Sequence, residues 1–202
     1  MSLKKEILRK SWHLLLIIIP IYYYYFGKES LLKIIIPLSF IVIIIDYFRH
    51  HIKFIKIIFN KIFLNALRDH EINQKKFCGA TWVFLGASIN FGLFRPHIAI
   101  TGFTILVISD ALAALIGKSI KSRSFYEKSL SGSLAFFLSA LIILVFYGWL
   151  YQLTLSYYFF GIITICYVTM LEARPSLLKF DDNILIPLSF SIVMTLFNFL
   201  IN

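Results

Sequence analysis

The stretch "ITGFTILVISDALAALIGKS", residues 100–119, decides the fold. It is apolar and as long as a membrane-crossing helix, yet Asp110 sits near its middle. On its N-terminal side only Arg95 and His97 interrupt a long uncharged run. An apolar segment near 97–117 is long enough to cross about 30 Å of hydrocarbon as a helix. A carboxylate inside such a helix costs roughly 2.5–3.5 kcal/mol unless it faces protein, water or a bound cation. Asp110 therefore reads as a functional carboxylate on a membrane helix. The small residues Ala111, Ala113, Ala114 and Gly117 after it let another helix or a ligand approach closely.

The rest of the chain supports the same class. Of its 202 residues 59% are hydrophobic and 15% charged, and the mean hydropathy is +0.83. A water-soluble domain of this size has no room to bury so much apolar surface. Apolar runs near 11–27, 31–48, 77–94, 97–117, 130–151, 154–171 and 184–201 predict an all-α, polytopic membrane helix bundle of about seven spans. The first run follows a basic start like that of a signal peptide, but "IIIPIYYYYFGKE" offers no small-residue cleavage site and is read as retained. Internal repeats and linkers are absent from the sequence, so residues 1–202 are read as a single domain. Between the second and third runs, "HIKFIKIIFNKIFLNAL" is too charged to cross; Lys53, Lys56 and Asn60 at helical spacing predict an amphipathic helix lying in the interface.

The formal charge of +10 reports topology before it reports a partner. Lys and Arg concentrate in cytoplasmic segments of membrane proteins. With the N-terminus inside, all of the 20 Lys and Arg except Lys28, Lys33 and Arg95 fall on the inner side. The expected orientation is N-in, C-out, without a nucleic-acid partner, in an integral membrane location that fits a bacterial inner membrane. Cys78 and Cys166 stand alone, and neither a zinc site nor a disulfide is expected.

All ten acidic residues except Glu29 fall at or near the same membrane face. "EILRKSWH" sets Glu6, Arg9, Lys10 and His13 along one helix face, where cations beside a histidine suit phosphate or simply flank a span. In "DYFRH", Asp46 and Arg49 are three apart and can pair, which eases the placement of either near hydrocarbon. "LRDHE" repeats the spacing with Arg68 and Glu71, or is a solvated loop. After Gly117 the loop "KSIKSRSFYEKS" is basic and hydroxyl-rich, and Lys128, Ser129, Ser131, Gly132 and Ser133 lead into a helix whose free amides favour phosphate. Glu172 ends the sixth run. Asp181, Asp182 and Asn183 precede the seventh, where they suit either Mg²⁺ or helix capping by Asp182 or Asn183.

In this order the motifs resemble the CTP-dependent lipid kinase family that includes dolichol kinase, phytol kinase and the CTP-using diacylglycerol kinase, related to phosphatidate cytidylyltransferases. The carriers are "RKSWH", "DYFR", "LRDHE" with "GAT", "SDALAALIGK", "KSLSGSLAFF" and "DDNILIPL", spread over nearly the whole chain. The chain departs at Ser131, where the family has an acid, and after Gly117, where the family often has a further glycine. The resemblance implies transfer of the γ-phosphoryl group of CTP, or a related nucleotide, to the hydroxyl of a polyisoprenoid alcohol or diacylglycerol. It marks Arg9, Lys10, Asp110 and Gly117 as needed for activity.

The expected catalytic group is Asp110, Arg9, Lys10 and His13, with His13 or Asp110 as general base. The expected nucleotide contacts are Gly117, Lys118, Lys128, Ser129, Gly132, Arg68 and Glu71. Asp110, Glu172, Asp181 and Asp182 are the expected Mg²⁺ ligands, and Asp46, Arg49 and Asn183 support substrate or form ion pairs. Two other functions fit the composition: CDP-lipid synthesis, which needs the same cluster, and a small transporter, which the lack of an inverted repeat argues against.

Overall fold

The computed structural model describes residues 3–63, 76–176 and 180–201. Helix α1, Leu3–Leu14, runs through one 3₁₀ turn, Leu15–Ile17, into α2, Ile18–Phe48. α3 is Lys53–Phe63, α4 is Gly79–Leu93, and α5 is Pro96–Thr104. A π-helical turn at Ile105–Ser109 joins α5 to α6, Asp110–Ser119. A hairpin of two-residue strands, β1 Ser124–Phe125 and β2 Lys128–Ser129, leads into α7, Leu130–Leu150. α8, Leu155–Glu172, and α9, Asp182–Ile201, complete the bundle. The hairpin stands where a loop was expected, and Tyr126 at its turn has φ 54°.

Each helix begins or ends where the side chains dictate. Gly27 has φ 77° and ψ 178°, a backbone state that residues with a Cβ rarely enter, and it breaks α2 in two. Tyr22 Oη and Ser30 Oγ bond across the break at 2.8 Å. The neighbours of the two arms show that the chain reverses there. The Tyr23 ring packs tilted against Phe91 near the end of α4, centroids 4.8 Å apart, and Leu32, on the far side of Gly27, packs by Gly92. From there the second arm descends antiparallel to α4, with Ser39 bonded to Ser88 at 2.7 Å and Asp46 accepting from the Cys78 amide at 2.7 Å. Pro96 opens α5 at a position where a missing N–H is harmless.

Among the described residues, five helical segments are long and apolar enough to cross a membrane: Lys5–Phe48, Pro96–Ser119, Leu130–Leu150, Leu155–Glu172 and Asp182–Phe199. α4 is a shorter apolar helix. The structure is an all-α membrane bundle turned outward in its chemistry. Large apolar side chains such as Phe40, Ile142, Trp149 and Phe199 are exposed, as a hydrocarbon solvent requires. Polar contacts lie inside: Asn90 donates to the Ala99 carbonyl at 2.8 Å and accepts from Ser191 at 2.7 Å, tying α4, α5 and α9 together. Thr101 and Thr104 bond the hydroxyls of Tyr157 and Tyr147 at 2.9 and 3.1 Å. Such bonds fix helix rotation where apolar packing is permissive.

The two ends of the bundle differ. One gathers the Gly27 turn with Tyr24, His97 and Tyr151. The opposite end collects α1, residues 76–78 before α4, the end of α6, the hairpin, the end of α8 and the start of α9, and with them most of the buried charge of the described residues. α3 lies beside that end, with Lys53 and Lys56 and with Phe54 and Ile57 exposed.

Candidate active site

α1 carries Glu6, Arg9, Lys10 and His13 at spacings of three, four and seven, so all four share one face. The face meets the middle of the α5–α6 pass. The Lys10 ammonium donates to Asp110 Oδ2, and both side chains are buried. His13 Nε2 donates to the Leu106 carbonyl at 3.1 Å and stands 3.8 Å from the same Asp110 oxygen. Asp110 thus lies in no lipid-facing position; its neighbours are a cation and an imidazole from the first helix.

Glu6 is only 3% exposed and is shared between Arg9, with Nε at 3.1 Å, and Lys118 at the end of α6. Sequence spacing places Glu6 on the face but gives no hint of this bridge. Lys128, at the hairpin, donates to Glu172 and lies 3.3 Å from Asp182 Oδ2. Burial would lower the pKa of Lys128, but Asp182, Glu172 and Asp110 together raise it well above the ordinary lysine value, so the ammonium stays charged. Glu172 Oε2 is buried with no hydrogen-bond partner among the described residues.

These groups line a cavity of about 400 Å³ with Gly117, Ser129 and Gly132 in its wall. The wall is tight for a reason. A Cβ on Gly117 would stand 2.6 Å from Ser129 Oγ and 3.3 Å from Gly132 Cα. Ser129 Oγ caps α7 by accepting from the Gly132 amide at 3.2 Å, and the Ser131 amide donates to Ser122 Oγ at 3.0 Å. Two amides expected to be open to phosphate are therefore already bonded to hydroxyls. Ser131 uses its own hydroxyl on the Ile120 carbonyl at 3.1 Å.

A second cavity, an apolar groove of about 520 Å³, adjoins the first. Trp12, Leu16, Val42, Ile45, Val83 and Phe84 form its body, and Arg9, Lys10 and His13 its polar head. Arg9 lines both cavities, while Lys10 lines the groove and Asp110 the charged cavity. The Lys10–Asp110 pair is therefore the partition between them.

The other expected residues divide clearly. Asp46 is fully buried and accepts from the Arg49 guanidinium, the Thr81 hydroxyl and the Cys78 amide, which ties the end of α2 to the start of α4. Arg49 also donates to the Lys76 carbonyl at 3.0 Å and lies 4.7 Å over the Phe59 ring, so it fastens α3 to the same corner. Asp46 and Arg49 line neither cavity. Asp181, rather than Asp182 or Asn183, caps α9, accepting from the Asn183 amide at 3.0 Å. Asn183 also reaches the Gly79 carbonyl at 3.3 Å and borders the groove. Arg68 and Glu71 lie outside the described residues.

For a cation, the chemistry of the charged cavity is selective. Glu6, Asp110, Glu127, Glu172 and Asp182 outnumber Arg9, Lys118 and Lys128 along its wall, an excess of negative charge that opposes an anionic ligand on its own. Among the described residues, no group of three or more His, Cys, Asp or Glu side chains is placed to hold a metal ion. What converges is a pair, Glu172 and Asp182, with the Lys128 ammonium between them. Mg²⁺ commonly takes one or two carboxylates and completes its shell with water and substrate phosphate. The pair, with its unpartnered Glu172 oxygen, fits that demand.

No protein-family model matches the chain, and no solved structure matches it. Over 170 residues it is 31% identical to Uncharacterized protein RP860 of Rickettsia prowazekii (strain Madrid E), an overlap that covers 80% of this chain and 79% of that protein. At that identity and coverage, the chain belongs to the same protein family as its Rickettsia relative.

Proposed function

We propose that the protein is a membrane lipid kinase, transferring the γ-phosphoryl group of CTP or a related nucleotide to the hydroxyl of a polyisoprenoid alcohol or diacylglycerol. The observation that carries this reading is the junction of two unlike cavities, one charged and one apolar, at the Lys10–Asp110 pair. Phosphoryl transfer to a lipid needs that adjacency, because the donor is a polyanion and the acceptor chain stays in the hydrocarbon.

In this reading the chain passes the membrane seven times, counting both arms around Gly27 and the shorter α4, with N-in, C-out orientation. The charged end then faces the cytoplasm, the side on which nucleotide is found, and the membrane is a bacterial inner membrane.

Lys128, Arg9 and Lys118 hold the nucleotide phosphates and spread positive charge over the transferred group. Gly117 and Gly132 let α6 and α7 approach closely, which sets the cavity wall beside the phosphates. Glu172 and Asp182 are the residues that would hold Mg²⁺, which when bound offsets phosphate charge in the cavity. Lys10 and Asp110 fix α1 against the α5–α6 pass, so that the groove and the cavity meet at a set distance. Asp46 and Arg49 hold the groove's far wall by tying the end of α2 to the start of α4.

The test is direct. Purified protein in detergent is incubated with γ-labelled CTP, UTP or ATP, Mg²⁺ and a panel of prenols and diacylglycerol. Label recovered in lipid phosphate is the expected result. No labelled lipid with any nucleotide rejects the kinase reading, and CDP-lipid with pyrophosphate release replaces it by cytidylyl transfer.

A further inference from the structure

We infer that His13 is the general base of the transfer, and that a backbone carbonyl in the π-helical turn selects the tautomer that makes it one. The inference rests on the lipid kinase reading and narrows it to an atom, Nδ1 of His13.

A carbonyl oxygen can only accept. The 3.1 Å contact between His13 Nε2 and the Leu106 carbonyl therefore requires the proton to be on Nε2. In the neutral ring the lone pair is then on Nδ1. No protein group among the described residues bonds Nδ1. His13 lines the apolar groove, where the acceptor hydroxyl must come, and it stands beside the partition that separates the groove from the phosphates.

Leu106 belongs to the π turn Ile105–Ser109, a helix geometry that is rare and concentrated at functional sites. The charged groups that surround the ring are Arg9 and Lys10 on its own helix and Asp110 on the facing one. Asp110 is the weaker candidate on geometry alone, because Oδ2 receives the Lys10 ammonium and the carboxylate lines the other cavity.

The step balances. The lipid O–H gives its proton to His13 Nδ1 as the oxygen's electron pair forms the bond to the γ-phosphorus. The bond from that phosphorus to the β–γ bridging oxygen breaks, and its electron pair leaves on the nucleoside diphosphate. The imidazolium then releases its proton to water.

The experiment has two arms. In the first, ¹⁵N NMR of wild-type protein labelled at histidine is read against His13→Gln to assign the ring. A resting Nε2–H tautomer is expected, and an Nδ1–H tautomer overturns the inference even if lipid is phosphorylated. In the second, His13→Gln keeps a donor for the Leu106 carbonyl but has no base. Its kcat is expected to fall about 100- to 10,000-fold, with the nucleotide KM unchanged. The smaller His13→Ala protein, whose ring space is open, is expected to recover turnover when imidazole is added. A His13→Gln enzyme within about twofold of wild type rejects the base while leaving the kinase standing; wild type that phosphorylates no lipid removes both.

Discussion

Lys10 and Asp110 meet as a buried ion pair although 100 positions separate them in the chain. Each lies where a lone charge is costly, and each is the reason the other is tolerated. Removing one partner leaves the other charge buried without compensation. Lys10→Met or Asp110→Asn is expected to lower stability by about 3–5 kcal/mol, and the double change Lys10→Met with Asp110→Leu to recover most of it. Unfolding of the purified protein in mixed micelles decides this, and a double variant no better than the singles contradicts it.

The Lys128 ammonium occupies the gap between Glu172 and Asp182. Lys128→Met should free that gap for a divalent ion, so Mg²⁺ at ten times its Kd should stabilise the variant by about 1.4 kcal/mol, or about 3–5 °C in Tm. Wild type should shift less. Sodium chloride at matched ionic strength is the control, and equal shifts in both proteins would argue against the carboxylate pair as the metal site. The sign of the pH effect follows from the raised pKa of Lys128. Its contribution is complete below about 10.5, the ordinary lysine value, and fades only as the pH rises beyond that.

Gly27 reverses the first long helix with φ 77°. Nothing crowds a Cβ there, so the strain of Gly27→Ala is purely conformational. A loss of about 1–3 kcal/mol is expected, with no change in which residues are exposed. Thermal unfolding measures it; an unchanged Tm means that the turn accepts any residue.

The two cysteines should differ sharply. Burial, reinforced by Asp46, pushes the Cys78 thiol up to about 11, whereas Cys166 is exposed on the outer face of α8. Membrane-permeant maleimide is expected to label Cys78 only after unfolding, read by mass spectrometry. Labelling of Cys78 in the folded protein would contradict the Asp46 corner as drawn.

Much of the fold was legible in advance. Apolar runs near 130–151 and 154–171 became Leu130–Leu150 and Leu155–Glu172, because the length of a hydrocarbon-crossing helix is set by the chain's own composition. Asp46 with Arg49, and the shared face of Glu6, Arg9, Lys10 and His13, followed from helical spacing. The two-residue hairpin did not, since strands so short leave no alternating pattern. Nor did the α9 cap on Asp181, because three adjacent polar residues offer the same hydrogen-bond chemistry.

By itself the sequence determined that the chain is a helical membrane bundle and that its acids and bases gather toward one face. Both are consequences of local composition and of the positive charge that membrane topology favours. Only the tertiary structure decided the partners: Lys10 to Asp110, Lys118 to Glu6, and Lys128 to Glu172 with Asp182. Pairing across a bundle depends on the depth and rotation of each helix, which are set by the π turn at Ile105–Ser109, the break at Gly27 and the bonds of Asn90. Those are cooperative outcomes of packing, and no spacing along one segment encodes them.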